Sequence, residues 1–545
     1  MEMKNFRTCM KGMGIMVRPC LGKIAVRCLL GFVRIAASLM FVWTSKSLVD
    51  IATGQSDAGM LQHIFIMAGV MLVQMACNIA ASYYESLITV KVQNDMRGAA
   101  FGHVMRSQWN GRESFHTGDT VNRLEQDISV MADLFCSRIP DIIITLCQLV
   151  AASIFLLSLT PGLTWLLLGL MVVAVIGSRL FFGKIRKLTA DIRSREAEMQ
   201  GYMQENLLHR ILALTMSGAG QVVSRLLQMQ DVVLEKNESR LTLNAVARGF
   251  MSFGFAAGYF AAFIWGITGI RSGAVTYGMM TAFLQLVGQV QTPIASIARH
   301  IPAFIHSLTS VERLMELEEL PEEKYGTPVM LDGTPGISLR GISFAYPDQK
   351  EQVLCDLSFE FAPGSMTAIT GPTGIGKSTL TKIMLSLLTP DSGSVVLTSG
   401  GREVQASADT RCNFMYVPQG NSLMSGTIRR NFLLAKSDAT DDEMRQALSD
   451  AAATFVLDLP DGLDTVCTEQ GGGLSEGQAQ RIAIARALLH PGGILILDEA
   501  TSALDSETEA KILENLRVRW HGHRTIVFIS HRESVALQAD AVLSL

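Results

Sequence analysis

Charge is scarce in this chain. Of 545 residues only 18% are charged, and the formal net charge is −4. There is no electrostatic footprint for nucleic acid. The nine cysteines (Cys9, Cys20, Cys28, Cys77, Cys136, Cys147, Cys355, Cys412 and Cys467) include no pair at CxxC or other metal-ligand spacing. The odd, scattered set reads as small apolar filler in a reducing or membrane setting. No internal repeat or low-complexity tract is present. What is abundant is apolar surface. Hydrophobic residues make up 48% of the chain, too many for an ordinary soluble protein of this size. The length implies more than one domain.

The apolar residues cluster. Stretches long enough to span a bilayer run Ile24–Trp43, Leu61–Tyr83, Ile139–Leu159, Leu163–Phe182, Phe250–Ile270 and Met279–Phe304. Six spans are therefore expected, with a tight corner at Thr160–Pro161–Gly162 between the third and fourth. The loops after the first, third and fifth spans are short and carry Asp57 and Arg271. Those after the second and fourth are long, about Glu85–Arg138 and Gly183–Arg248. They hold Lys91, Arg97, Arg106, Arg112 and Arg123, then Lys184, Arg186, Lys187, Arg193 and Arg195. The positive-inside rule places both long loops and both termini in the cytoplasm, with the membrane helices continuing into the cytosol. The basic N-terminus (Lys4, Arg7, Lys11, Arg18, Lys23, against Glu2) is read as a cytosolic flank; a targeting signal is the alternative. Glu316–Pro335 is acidic, then rich in Pro and Gly, and reads as a linker. From Gly336 the composition becomes that of a soluble α/β domain. The expected fold is an all-α six-span domain (1–315), a linker (316–335) and an α/β P-loop domain (336–545).

The run GPTGIGKST is a full P-loop: Gly371, Pro372, Thr373, Gly374, Ile375, Gly376, Lys377, Ser378 and Thr379. Its glycines let backbone N–H groups approach phosphate oxygens. The following helix turns its positive end to the same anions. Lys377 supplies a mobile point charge, and the Ser378 hydroxyl is placed to ligate Mg²⁺. Ser365–Thr370 reads as the strand before the loop and Thr379–Leu388 as the helix behind it. Downstream, ILILDEA (Ile494–Ala500) is an apolar strand ending in two acids. Asp498 is the candidate Mg²⁺ holder, and Glu499 the group that polarises the attacking water.

These residues, with LSEGQ (Leu474–Gln478), SALD (Ser502–Asp505), FAYP around Tyr346, YVPQ ending in Gln419, and His531 after TIVFIS, resemble the nucleotide-binding domain of an ABC transporter. The six-span half with two long cytosolic loops resembles an exporter half-transporter, as in bacterial lipid and multidrug exporters. The likeness covers nearly the whole chain; the nucleotide-domain motifs are specific, whereas the membrane half matches mainly in layout. It implies that Tyr346 stacks on adenine and that Gln419 sits near Mg²⁺ and the attacking water. It implies further that Ser475, Gly477 and Gln478 cap the γ-phosphate of ATP held by the other subunit. Asp505 would cross the dimer interface, and His531 would bond the γ-phosphate. Glu469 resembles the acid that meets the coupling loops. Phe115–Asp127 resembles the family's first cytosolic loop, with a short coupling helix expected near Ser114–Gly118, and a second coupling segment is expected near Leu207–Ala213. The usual LSGGQ is LSEGQ here, with Glu476 at a variable position. The chain also ends fourteen residues past His531, where the family usually continues with a strand pair and a helix.

Lys23, Arg27 and Arg34 lie along the first span. Arg27 and Arg34, seven apart, share a face about 10 Å long. They line a cavity for an anionic or amphipathic substrate, or snorkel to the inner leaflet. Phe250, Phe253, Phe255, Met279 and Met280 read as packing rather than a drug pocket. The expectation is an ATP- and Mg²⁺-dependent exporter of a lipid-like, amphipathic or drug-like compound in the inner (cytoplasmic) membrane, contacting membrane lipids but no nucleic acid. Its partner is a second half-transporter subunit, as a homodimer or a heterodimer. A nucleotide-gated channel or regulatory ABC protein is the alternative.

Overall fold

The computed structural model describes residues 21–109, 117–159, 161–346, 351–468 and 473–545. They form two compact units: 1–101 with 121–317, and 102–120 with 318–545.

The first unit is helical. Long helices run Leu21–Ala52, Met60–Arg106, Pro161–Leu208, Ala219–Arg271 and Tyr277–Glu318. The helix ending at Leu159 begins with Thr117–Asn122 and contains two π-turns, Arg123–Asp127 and Leu134–Arg138. The third and fourth expected spans part at the expected corner, one helix ending at Leu159 and the next opening at Pro161; proline at a first helical position gives up only an N–H that has no intrahelical partner. Thr160 lies outside the described residues. The Met60–Arg106 helix has 47 residues, about 70 Å at 1.5 Å per residue. A bilayer's hydrocarbon core is about 30 Å thick, so this helix extends well into water. Among the described residues four helices are long and apolar enough to cross a membrane: Leu21–Ala52, Met60–Arg106, Gly118–Leu159 and Ala219–Arg271. The other two expected spans fall in Pro161–Leu208 and Tyr277–Glu318, where many side chains lie outside the described set.

Leu21–Ala52 and Ile139–Leu159 approach closely at Gly31, where a Cβ would stand 2.3 Å from Ile144 Cδ1. Val42, Leu156, Ala262, Phe283 and Leu286 form a packed cluster joining four helices. Met60–Arg106 instead exposes Phe65, Leu72 and Tyr83, as a lipid-facing helix does. Arg27 settles differently from either sequence expectation. It is buried, and donates to Glu85 (2.7 Å), Asp141 (2.8 Å) and the Cys136 carbonyl within the second π-turn. Ser137 bonds the same Glu85. Arg27 is thus a structural cation between three helices, while Arg34 is half-buried.

The second unit is α/β. Its strands are β1 (Gly336–Phe344), β2 (Leu354–Phe361), β3 (Met366–Thr370), β4 (Ser392–Ser399), β5 (Arg402–Gln405), β6 (Phe414–Val417), β7 (Gly426–Thr427), β8 (Val466–Cys467), β9 (Ile494–Asp498), β10 (Thr525–Ile529) and β11 (Ala541–Ser544). An antiparallel sheet has the order β2-β1-β4-β5, and a parallel one β11-β3-β10-β9-β6. The central parallel strands β9 and β10 are buried at every position, hence their nearly continuous apolar runs. Leu495 and Leu497 of β9 face one core with Phe432, Ile482 and Leu513. Ile494 and Ile496 face the other, with Leu380, Ile337 and Phe361.

Residues 102–120 belong to this unit, which the sequence reading did not foresee. Gln108 N–H donates to Pro321 O (2.7 Å), and Glu323 N–H to Arg106 O (2.9 Å). The Lys382 ammonium stands 4.6 Å over the Trp109 ring. The stretch Glu318–Pro335 is also held: Arg411 bonds Glu323, and Asn413 brackets Val329 and Leu331. Arg411 keeps the Glu323 carboxyl below its usual range, chiefly by hydrogen bonding.

Candidate functional site: a nucleotide-phosphate cradle

Because β3, β10, β9 and β6 are parallel, their carboxyl ends share one edge, where open α/β sheets bind ligands. Thr370 leads into the P-loop, Ser530 to His531, Asp498 to Glu499, and Val417 to Gln419. Register fixes them as neighbours: Ile529 lies beside both Ile369 and Asp498, and Val417 beside Leu497.

The loop is a fit for phosphate. Gly371, Gly374 and Gly376 have φ of 148°, 88° and 115°, conformations that L side chains rarely adopt. Gly376 starts the helix Lys377–Met384. A Cβ there would meet Val353 Cγ1 at 2.8 Å. Pro372, Thr373, Gly374 and Ile375 form the exposed rim. Lys377 is buried, and its ammonium caps the loop's own carbonyls, Gly371 O (2.7 Å) and Pro372 O (2.9 Å). Ser378 is exposed at the helix start, while Thr379 is buried and its hydroxyl meets Tyr346 OH at 3.1 Å. Tyr346 packs edge-on against Phe344, with centroids 5.0 Å apart.

Opposite the loop, three candidates converge. Gln419 Nε2 donates to Glu499 Oε2 (2.7 Å), and His531 Nε2 lies 2.9 Å from Glu499 Oε1. Glu499 is held in the left-handed region, φ 49°, with its N–H on Ile529 O (2.9 Å). Such strain persists where the surroundings over-determine it, and it clusters at functional sites. Asp498 is buried, and burial pushes its carboxyl up; Tyr416 OH, at 3.3 Å, opposes that by donating. Burial pushes the Tyr416 hydroxyl up as well, so it stays a donor. The sequence reading missed Tyr416, although it lies three residues before Gln419 in the same strand-to-loop run.

Ser475, Gly477, Gln478 and Asp505 lie in a second group. Ser475 caps the helix Glu476–Leu489: its Oγ accepts from Gln478 N–H (3.2 Å), and Gln478 Oε1 accepts from Ser475 N–H (2.9 Å). The Ser475 hydroxyl proton is not used by that cap. Gly477 abuts the Ser502–Asp505 turn, where a Cβ would stand 2.9 Å from Ala503 O. Asp505 caps the next helix, accepting from Thr508 N–H and Oγ1, both at 2.8 Å. Those bonds hold its carboxyl below the usual range. Gln480, also missed, ties the two groups through Ser502 (3.3 Å) and Ala503 (3.2 Å). Glu469 and most of the first coupling segment lie outside the described residues. The second coupling segment holds an exposed helix, Arg210–Thr215.

Residues 354–502 match the ABC transporter family, and residues 24–294 match the ABC transporter transmembrane region. A multidrug resistance ABC transporter ATP-binding and permease protein of Lactococcus lactis is 31% identical over 78% of this chain and 72% of its own. The chain is an ABC transporter. Its fused membrane and ATPase regions make it a half-transporter of the exporter type, an ATPase that couples hydrolysis to transport. A putative multidrug export ATP-binding/permease protein of Bacillus subtilis is 26% identical to this transporter over 97% of the chain and 93% of that protein. A probable microcin-H47 secretion/processing ATP-binding protein of Escherichia coli is 28% identical over 92% of the chain and 72% of that protein. The solved structure of a bacterial Atm1-family ABC exporter with ATP bound superimposes with a TM-score of 0.79, at 22% identity, over 97% of this chain and 93% of that one. The transporter therefore has that exporter fold.

Proposed function

We propose that two copies of this transporter sandwich two ATP molecules and export an amphipathic or drug-like compound across the cytoplasmic membrane. The meeting of Gln419 and His531 on Glu499, opposite the P-loop, carries the reading. In it, Lys377 leaves the loop carbonyls for the phosphates, and the P-loop N–H groups take the equatorial oxygens. Tyr346 stacks on adenine. Ser378, Asp498 and Gln419 are the residues that would hold Mg²⁺, which would supply neutralisation of phosphate charge. Glu499 orients and polarises the attacking water, with Gln419 and His531 fixing its carboxylate and His531 turning to the γ-phosphate. Ser475, Gly477, Gln478 and Asp505 of one copy close over the nucleotide of the other. The catalysis is positional and electrostatic.

The substrate class is supported by the multidrug export relatives and by the apolar spans, and the cytoplasmic membrane by the basic long loops. The test is ATPase activity of the purified chain in lipid vesicles, wild type against Glu499→Gln, with a panel of lipids and amphiphilic drugs. The variant is expected to bind ATP with kcat lowered by about 10² or more, and some compounds to stimulate the wild type. A folded, inactive wild type would sink the homodimer.

A further inference from the structure

Arg532 takes no part in the chemistry proposed above, yet it is tied to both ends of it. Its guanidinium donates to the Ser502 carbonyl (3.0 Å), the Leu504 carbonyl (3.1 Å) and the Glu509 carboxylate (2.9 Å). Glu509 is 4% exposed, and its other oxygen accepts from the Thr501 hydroxyl (2.7 Å). Gln480 grips the same turn from the Glu476–Leu489 helix, and Ser502 N–H donates to Glu499 O (3.1 Å). The turn that begins at strained Glu499 and ends at Asp505 is therefore clamped from outside by Arg532, Gln480 and Glu509.

Resting on the proposed function, the geometry points to Arg532 as a positioning residue for that turn, holding Glu499, His531 and Asp505 in one register. Glu499 cannot keep a φ of 49° on its own. On its N-terminal side it is fixed by the bond to Ile529 O. On its C-terminal side the constraint comes through Ser502 and Leu504, whose carbonyls Arg532 holds. Arg532 also directly follows His531, so one anchor sets both the Glu499 backbone and the imidazole that meets its carboxylate. The planar fork of arginine reaches two carbonyls and a carboxylate together. A lysine would keep the charge opposite Glu509 but lose the fork.

That difference supplies the test. Arg532→Ala would remove the guanidinium that meets the buried Glu509 and could fail to fold, so the informative variant is Arg532→Lys in the full chain in lipid vesicles. Its unfolding temperature and KM for ATP are expected to match wild type, with kcat lowered about tenfold, as misplaced catalytic groups cost. A kcat within about twofold of wild type, on that same scale, overturns the assignment. So does a fall in kcat that is matched by a rise in KM and a loss of thermal stability, because the role would then be structural. An inactive wild type overturns both this assignment and the reading beneath it. An active wild type with an equally active Arg532→Lys overturns this one alone.

Discussion

At Gly477 the absence of a side chain is set by a neighbour, not by backbone conformation. A methyl group there would press within 2.9 Å of Ala503 O and 3.2 Å of Leu504 Cδ2. Gly477→Ala should displace the Ser502–Asp505 turn and cost about 1–3 kcal/mol of stability, with ATPase activity reduced. Thermal unfolding and turnover of the same preparation check both. Glu476, at the variable place in the motif, faces no such limit, and Glu476→Gly should leave turnover within about threefold of wild type and stability within about 1 kcal/mol. The P-loop, Asp498, Glu499 and the LSEGQ run were legible because their chemistry is compressed into contiguous residues. Tyr416, Gln480, Glu509 and Arg532 were not, because each acts on a residue far away in sequence.

Among elements, the helix that ends at Leu159 carries two π-turns, each touched by an arginine from another helix. Arg97 reaches Leu124 O (3.5 Å) in the first, and Arg27 reaches Cys136 O in the second. Removing Arg27 leaves Glu85 and Asp141 facing each other without a cation. Because those two side chains are 31% and 40% exposed, Arg27→Ala should cost about 2 kcal/mol, less than a fully enclosed pair. The measurement is the unfolding midpoint in detergent. The stretch after the last long helix supplies a pH test. The folded pKa of Glu323 is lowered, so its bond to Arg411 contributes stability above the ordinary carboxylate value of about 4.3. That contribution fades as pH falls through the depressed value. The gap in unfolding temperature between wild type and Glu323→Gln should be constant from about pH 6 to 8 and close below about pH 4.

For the whole molecule, the consequence is membrane integration. Helices that expose Phe65, Leu72 and Tyr83 cannot leave lipid without another apolar cover. High salt or carbonate should fail to release the chain from membranes, and detergent should succeed; release by salt would contradict the apolar spans. The division into units departs from a simple cut along the chain. Residues 102–120 fold with 318–545, through Trp109, Gln108 and the bonded stretch around Glu323. Chain order alone assigns them to the membrane half.

The sequence by itself determined the apolar spans, the P-loop and the paired acids Asp498 and Glu499 at the end of an apolar strand. Hydropathy and local motifs act over a few neighbouring residues, and their physics is written in residue type and spacing. Tertiary structure decided what those residues meet. It turned Arg27 from a cavity or snorkelling residue into a paired cation. It joined Gln419 and His531 on one carboxylate, and set Arg532 under the turn that holds Glu499. Each of those contacts joins residues 23 to 114 positions apart, and only the packing of parallel strands and crossing helices brings such residues within a hydrogen bond.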